Sequence, residues 1–479
     1  MVSMLKQLIS LRMLTKPLLT GSLSLAAELS DCRVAVRPAR HSTQRGQSLL
    51  LMVIMVIGFG AAFYTFVGVT SSAIERDKIN TAVLAQARDA LIGYAASDDN
   101  RPGSLPCPDL ITNVSGNTPN DGTTDLYSGN ECPGFVAGSN VYLGRLPWRT
   151  LGLPDLRDSS GERLWYAVSR EFARNPWCLP NCPLSSDTLG ELTVTGVAPA
   201  SNVVAIIFAP GISLGAQVRD AASENTASNY LENENADGSN ATFTTQASST
   251  TFNDRLLAIT NTDLMPAVER RVARDMIAIL QSYKAATATS PTYPGGVYPW
   301  ADRSDGGSNT WNHNRFPCGT ALPVNWDTTV PASSPSTKTP SLPSWLKNGC
   351  TNPVTGWTSV VYYAVATNRL ENGGAACTNC SDATLTVTNA SSRVADLCPT
   401  AGTTCSSAVV SSGSADLLLI TPGAATAYPR CGSPPCWPTG SFSTITGYFD
   451  DAENGDNNDD RYVVPSSTSY NRDHIYIVR

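Results

Sequence analysis

Apolar and polar positions change rhythm several times along the chain. From Leu49 to Val69 no charged residue interrupts a 21-residue apolar run, which as a helix at about 1.5 Å per residue would span about 32 Å, enough to cross a hydrocarbon core of about 30 Å. Beyond it Ile79, Val83, Ala87, Ala90, Leu91 and Tyr94 keep helical spacing, so the pattern predicts a helix continuing, half amphipathic, to about Ala96. Arg101-Pro102-Gly103 ends it. Short β-branched runs between turn-rich stretches come next, including Leu192 to Thr195 and Val203 to Phe208, and a second helix is expected from about Leu264 to Tyr283.

Landmarks of the first half recur in the same order in the second. Ala87-Arg88-Asp89 answers to Ala273-Arg274-Asp275, and Pro102-Gly103 with Asp109 to Pro294-Gly295 with Asp302. Tyr166-Ala167-Val168 answers to Tyr363-Ala364-Val365, Leu192-Thr193-Val194-Thr195 to Leu385-Thr386-Val387-Thr388, and Pro210-Gly211 to Pro422-Gly423. Each half closes on a Ser/Thr run before an aromatic residue and Asn, at Phe252-Asn253 and Tyr470-Asn471. Preserved order over such a length predicts an internal duplication, with the copies joined near Thr260 to Thr262.

Composition sharpens this picture. The 36 Gly and 32 Pro favour strands and loops over helical bundles, and 479 residues suggest two domains after any leader is removed. The net charge is −7, and residues 1–46 carry seven basic and two acidic side chains, so the remainder is close to −12. Such an acidic surface argues against nucleic acid as a partner. Arg33, Arg37, Arg40 and Arg45 precede the apolar run, while Glu75, Arg76, Asp77 and Lys78 balance beyond it. That asymmetry keeps the N-terminus in the cytoplasm and exports the chain beyond Val69.

Arg45-Gly46-Gln47 immediately precedes the apolar run. An ordinary secretory signal is cut after its hydrophobic stretch, whereas this basic-glycine-polar signal comes before it. That order resembles the type IV prepilin and type II secretion pseudopilin class. The resemblance implies cleavage after Gly46 by a prepilin peptidase, methylation of Gln47 as the mature N-terminus, and assembly with other pilin or pseudopilin subunits from the bacterial inner membrane. Its fold expectation is α+β. A long N-terminal membrane-spanning helix (47–70) would pack on a β-rich pilin-like module (71–260), followed by a second, duplicated module (261–479). Two positions depart from the family pattern: Gln47 stands where Phe or Met is usual, and Leu51 where most members carry Glu. Leu51 cannot pair with a neighbour's N-terminal amine, which fits a minor, tip or initiating subunit. Leu105 to Asp109, Gly144 to Leu153 and Asp158 to Tyr166 are similar to segments of a group of prepilin-like proteins. Physically they are Pro- and Gly-punctuated turns that fix where strands begin.

With Cys32 in the leader, an even 12 cysteines remain in the exported part, which an oxidising compartment turns into disulfides. Sequence order offers Cys107 with Cys132, Cys178 with Cys182, Cys318 with Cys350, Cys398 with Cys405 and Cys431 with Cys436, but spacing alone leaves the connectivity open. Cys377 and Cys380 form a C-x-x-C that lacks a second such pair or a nearby His for a metal. No catalytic residue is expected. Gly211-Ile212-Ser213-Leu214-Gly215 matches a nucleophile-elbow pattern, yet the exported histidines are only His313 and His474. His474 aligns with Leu256 of the first half, inside a strand. An acidic loop with Asp450, Asp451, Asp456 and Asp459 has the oxygens for calcium but not the EF-hand spacing, and Glu232, Glu234 and Asp237 stand at the matching place. Tyr293, Tyr298, Trp300, Trp311, Trp345 and Trp357 are expected to fill a core before they form a binding surface.

Overall fold

In the computed structural model the described residues are 74–99, 101–109, 120–127, 131–133, 138–173, 184–186, 188–288, 296–299, 301, 313–316, 345–346, 357, 360–370, 385–389, 411–421, 461–464 and 474–478. All of them fall in one compact unit, 70–479. Helix α1 covers described residues 74–97, α2 is the single turn Arg170–Ala173 and α3 is the 27-residue helix Asn261–Thr287. The strands are β1 Val141–Arg145, β2 Trp165–Ser169, β3 Leu192–Gly196, β4 Ala200–Ala209, β5 Thr242–Thr245, β6 Arg255–Thr260, β7 His313–Arg315, β8 Tyr362–Val365, β9 Leu385–Asn389, β10 Ser411–Ala415, β11 Leu417–Thr421, β12 Arg461–Val464 and β13 His474–Val478.

The first sheet runs β1-β2-β4-β3-β5, with β6 also on β4. Its pairs are antiparallel except β3 with β5, which is parallel. The second half repeats every one of these pairings: β7 with β8, β8 with β11, β11 with β13 and β9 with β10 antiparallel, β9 with β12 parallel. Register agrees too. Tyr166, Ala167 and Val168 face Ile207, Ile206 and Ala205, as Tyr363, Ala364 and Val365 face Leu419, Leu418 and Leu417. The place of the continuous ten-residue β4 is taken by β10 and β11, separated at Asp416, so the second half holds a four-stranded and a three-stranded sheet.

Two landmark alignments shift. Arg255 pairs with Ala209 and His474 with Thr421, so His474 corresponds to Arg255 and not to Leu256. In the helices the buried stripe Asn80, Leu84, Ala87, Leu91 recurs as Glu269, Ala273, Met276, Leu280 with the same spacing. Ala87 therefore corresponds to Met276, and the Ala-Arg-Asp match is one helical turn out of step. The repeated triplet lies close to the right place, but burial tracks the apolar stripe.

Strand alternation divides the buried side chains. Tyr166, Val168, Ala205 and Ile207 of the first sheet and Tyr363, Val365, Leu417 and Leu419 of the second share one core with Leu84 and Leu91 of α1 and Val268, Val272, Met276 and Leu280 of α3. The opposite faces form separate clusters, Trp165, Ile206, Phe208 and Phe243 in one and Tyr362, Ala364, Leu418 and Ile420 in the other. Helix α3 touches β4 and β6 of the first sheet and β11 of the second. It begins directly after β6: Thr260 N and Oγ1 both donate to Asp263 Oδ2, at 2.8 and 2.6 Å, which caps the helix. Of the aromatic candidates, Tyr298, Trp345 and Trp357 are core. Tyr293, Trp300 and Trp311 lie outside the described residues.

The expected fold class does not hold. The described architecture is mixed sheets with few helices, and among the described residues no helix is long and apolar enough to cross a membrane. The physical reason is charge: α1 carries Glu75, Arg76, Asp77, Lys78, Arg88 and Asp89, and α3 carries Asp263, Glu269, Arg270, Arg271, Arg274, Asp275 and Lys284. The run Leu49 to Val69, with Gly46, Gln47 and Leu51, lies outside the described residues.

Candidate functional site

The Pro- and Gly-punctuated segments converge at one corner of the first sheet. Asp109 and Arg145 exchange backbone hydrogen bonds at 3.0 and 3.1 Å, extending β1 by one bridge. The Asp109 carboxylate accepts from Gly122 N at 2.7 Å and Asn120 N at 3.1 Å, pinning the 120–125 turn beneath Trp148. Gly122 has φ +82°, and a Cβ there would stand 2.3 Å from the Trp148 ring, so only glycine fits. Burial, with Asp125 and Asp121 nearby, raises the Asp109 carboxyl to about 7 against the lowering effect of its backbone donors.

Arg145 is 3% exposed. Its guanidinium lies between the rings of Trp165 and Tyr230, 4.4 and 4.1 Å from their centroids, and donates to Arg163 O at 3.1 Å and Glu224 O at 2.6 Å. Burial lowers it to about 10, so it remains a cation at neutral pH. Arg145 Nε is buried without a partner beside a small cleft that Asp109, Arg145, Trp148 and Arg163 help to line. The cleft has room for little more than a water molecule. The arrangement fastens turns to a sheet edge; it brings no nucleophile to a base.

Ser213 is exposed in the loop after β4. Gly211 N donates instead to Asp158 Oδ2 at 2.7 Å, and Asp158 Oδ1 accepts from Ser160 N and Glu162 N at 2.8 and 2.9 Å. His474 Nδ1 is 2.6 Å from Glu269 Oε2. His474 is thus paired with Glu269 and not with Ser213.

Of the cysteine candidates, Cys107 and Cys132 are joined by a disulfide, both buried. Cys178, Cys182, Cys318, Cys350, Cys377, Cys380, Cys398, Cys405, Cys431 and Cys436 lie outside the described residues, as do Asp450, Asp451, Asp456 and Asp459. The matching acids of the first half are engaged by protein groups. Glu232 accepts from Asn253 N, Asp254 N and Gln217 Nε2, and Asp237 from Ser239 N and Asn240 Nδ2. Among the described residues no group of three or more His, Cys, Asp or Glu is placed to hold a metal.

Two buried acid clusters escape sequence reading. Asp254, 4% exposed, takes Glu232 N and Asn235 Nδ2 on Oδ2, and burial together with the Glu232 charge raises its carboxyl well above the usual range. Glu269, 1% exposed, accepts from Ser186 and Thr421 and pairs with His474. The signal available for Glu269 is an acid set between Val268 and Val272 on the apolar stripe of α3. Comparison with protein families, curated proteins and solved structures found no match to this chain.

Proposed function

We propose that the chain is a minor or tip subunit of a type IV pilus or type II secretion-like filament, acting in assembly, adhesion or secretion and not as an enzyme. The observation that carries the reading is the order of Arg45-Gly46-Gln47 before the apolar run. A signal cut there leaves the apolar stretch on the mature protein, able to hold it in the bacterial inner membrane and then to join a filament by apolar contact. The prepilin peptidase and other pilin-like subunits are its partners, and nucleic acid is not. The buried Cys107–Cys132 bond supports an oxidising, exported location for 71–479. The repeated strand pairings support two copies of one unit, 71–260 and 261–479.

A second reading is a signal-anchored surface binding protein that does not polymerise. Leu51 favours it, because an apolar residue there offers no carboxylate to a neighbouring subunit. Mass spectrometry of the envelope form, in cells with and without the prepilin peptidase, separates the two. A methylated N-terminus at Gln47 that depends on the peptidase supports the filament reading. An uncut leader in peptidase-proficient cells favours the second.

A further inference from the structure

The two halves share strand pairings and a buried helical stripe, so a cluster present in only one of them stands out. At matching positions the first half carries Asn80, Ala209 and Arg255, and the second carries Glu269, Thr421 and His474. In the first half these groups go separate ways. Asn80 Oδ1 accepts from Ser159 N, and Arg255 reaches Asp77 at an exposed ion pair of 3.3 Å. In the second half all three meet. Glu269 Oε2 accepts from Thr421 Oγ1 at 3.1 Å and lies 2.6 Å from His474 Nδ1, while Oε1 accepts from Ser186.

We propose that Glu269, Thr421 and His474 form a proton-operated clasp fastening β13 to helix α3, tight when the imidazole is charged and slack when it is neutral. The placement carries the argument. Glu269 is 1% exposed, whereas the His474 side chain is 36% exposed, so protons reach the imidazole from solvent while the carboxylate stays in the core. A buried carboxylate at hydrogen-bond distance favours the charged imidazole. The clasp therefore adds stability at low pH and loses it as the pH rises through the histidine's folded-state midpoint. Among the described residues the neighbouring groups include Ser186, Thr421, Tyr476 on β13 and Arg270 on α3. Tyr476 is pushed up to about 12, by burial first and then by Glu269, so it stays neutral across the working range.

The test uses the full-length chain in detergent micelles. By NMR the His474 midpoint is expected above the ordinary histidine range, because the buried carboxylate beside it favours the charged form. Hydrogen exchange of the β13 amides, referenced to those of β4, is expected to be about tenfold better protected at about pH 5 than at about pH 8. Glu269→Gln should abolish both effects. His474→Gln, at a partly exposed position and safer for folding, should bring the protection ratio close to one with β13 still formed. A His474 midpoint at or below the ordinary value, or a pH-dependent ratio that survives in His474→Gln, would overturn the clasp.

Discussion

Asp254 shows how far burial can move a single residue from its solution chemistry. Its carboxyl is raised above the usual range by burial and by Glu232, so the folded state binds the proton more tightly than the unfolded chain. A raised acid contributes stability that is complete below its unfolded value, about 3.9, and is lost as the pH climbs toward the folded value. Asp254→Asn keeps an oxygen to accept from Glu232 N and Asn235 Nδ2 and removes the second negative charge. Urea unfolding should find that variant gaining on the parent as pH rises from about 5 to about 8; an unchanged difference would mean that burial does not raise the Asp254 carboxyl. Asp109, raised to about 7, has the same sign. Neither acid is distinguishable in the sequence from the solvated acids around it, because the desolvation that sets it apart comes from residues distant in the chain.

At the scale of elements, the turns around Asp109 and Gly122 depend on short-range links that one disulfide reinforces. Cys107 and Cys132 are 25 residues apart in sequence and 5.6 Å apart at Cα. Closing a loop of that size is worth about 2–4 kcal/mol, chiefly by restricting the unfolded chain. The double variant Cys107→Ala/Cys132→Ala is expected to lose about that much in denaturant unfolding, and a loss below about 1 kcal/mol would place the stability of this corner elsewhere. Strands were the legible elements. The β-branched runs at Leu192 and Val203 lie within β3 and β4, and the second helix, expected from about Leu264 to Tyr283, runs from Asn261 to Thr287. The edges moved because Thr260 and Asp263 form the helix cap directly against β6, leaving no linker.

Over the described body as a whole, one core joins both halves through α3, which touches the first sheet and the second alike. Lys284 of α3 adds a polar tie, 2.8 Å from Asp416 at the break between β10 and β11. Leu280, fully buried on α3, belongs to the core that both sheets share. Leu280→Ala is expected to cost about 2–5 kcal/mol and to lower a single unfolding transition seen alike by near-ultraviolet dichroism and calorimetry. Two separate transitions would show that the halves fold independently. Sequence by itself determined the apolar run with Arg45-Gly46-Gln47 before it, a composition that favours strands and loops, and the recurring order of landmarks in the two halves. These are one-dimensional properties: periodicity, spacing and residue type. Tertiary structure decided the rest. It replaced the expected α+β architecture with mixed sheets, moved the helix alignment by a turn, put His474 opposite Thr421, and made Glu269 a buried partner. Each of those outcomes depends on which groups lose water together, and that is fixed only when distant segments pack.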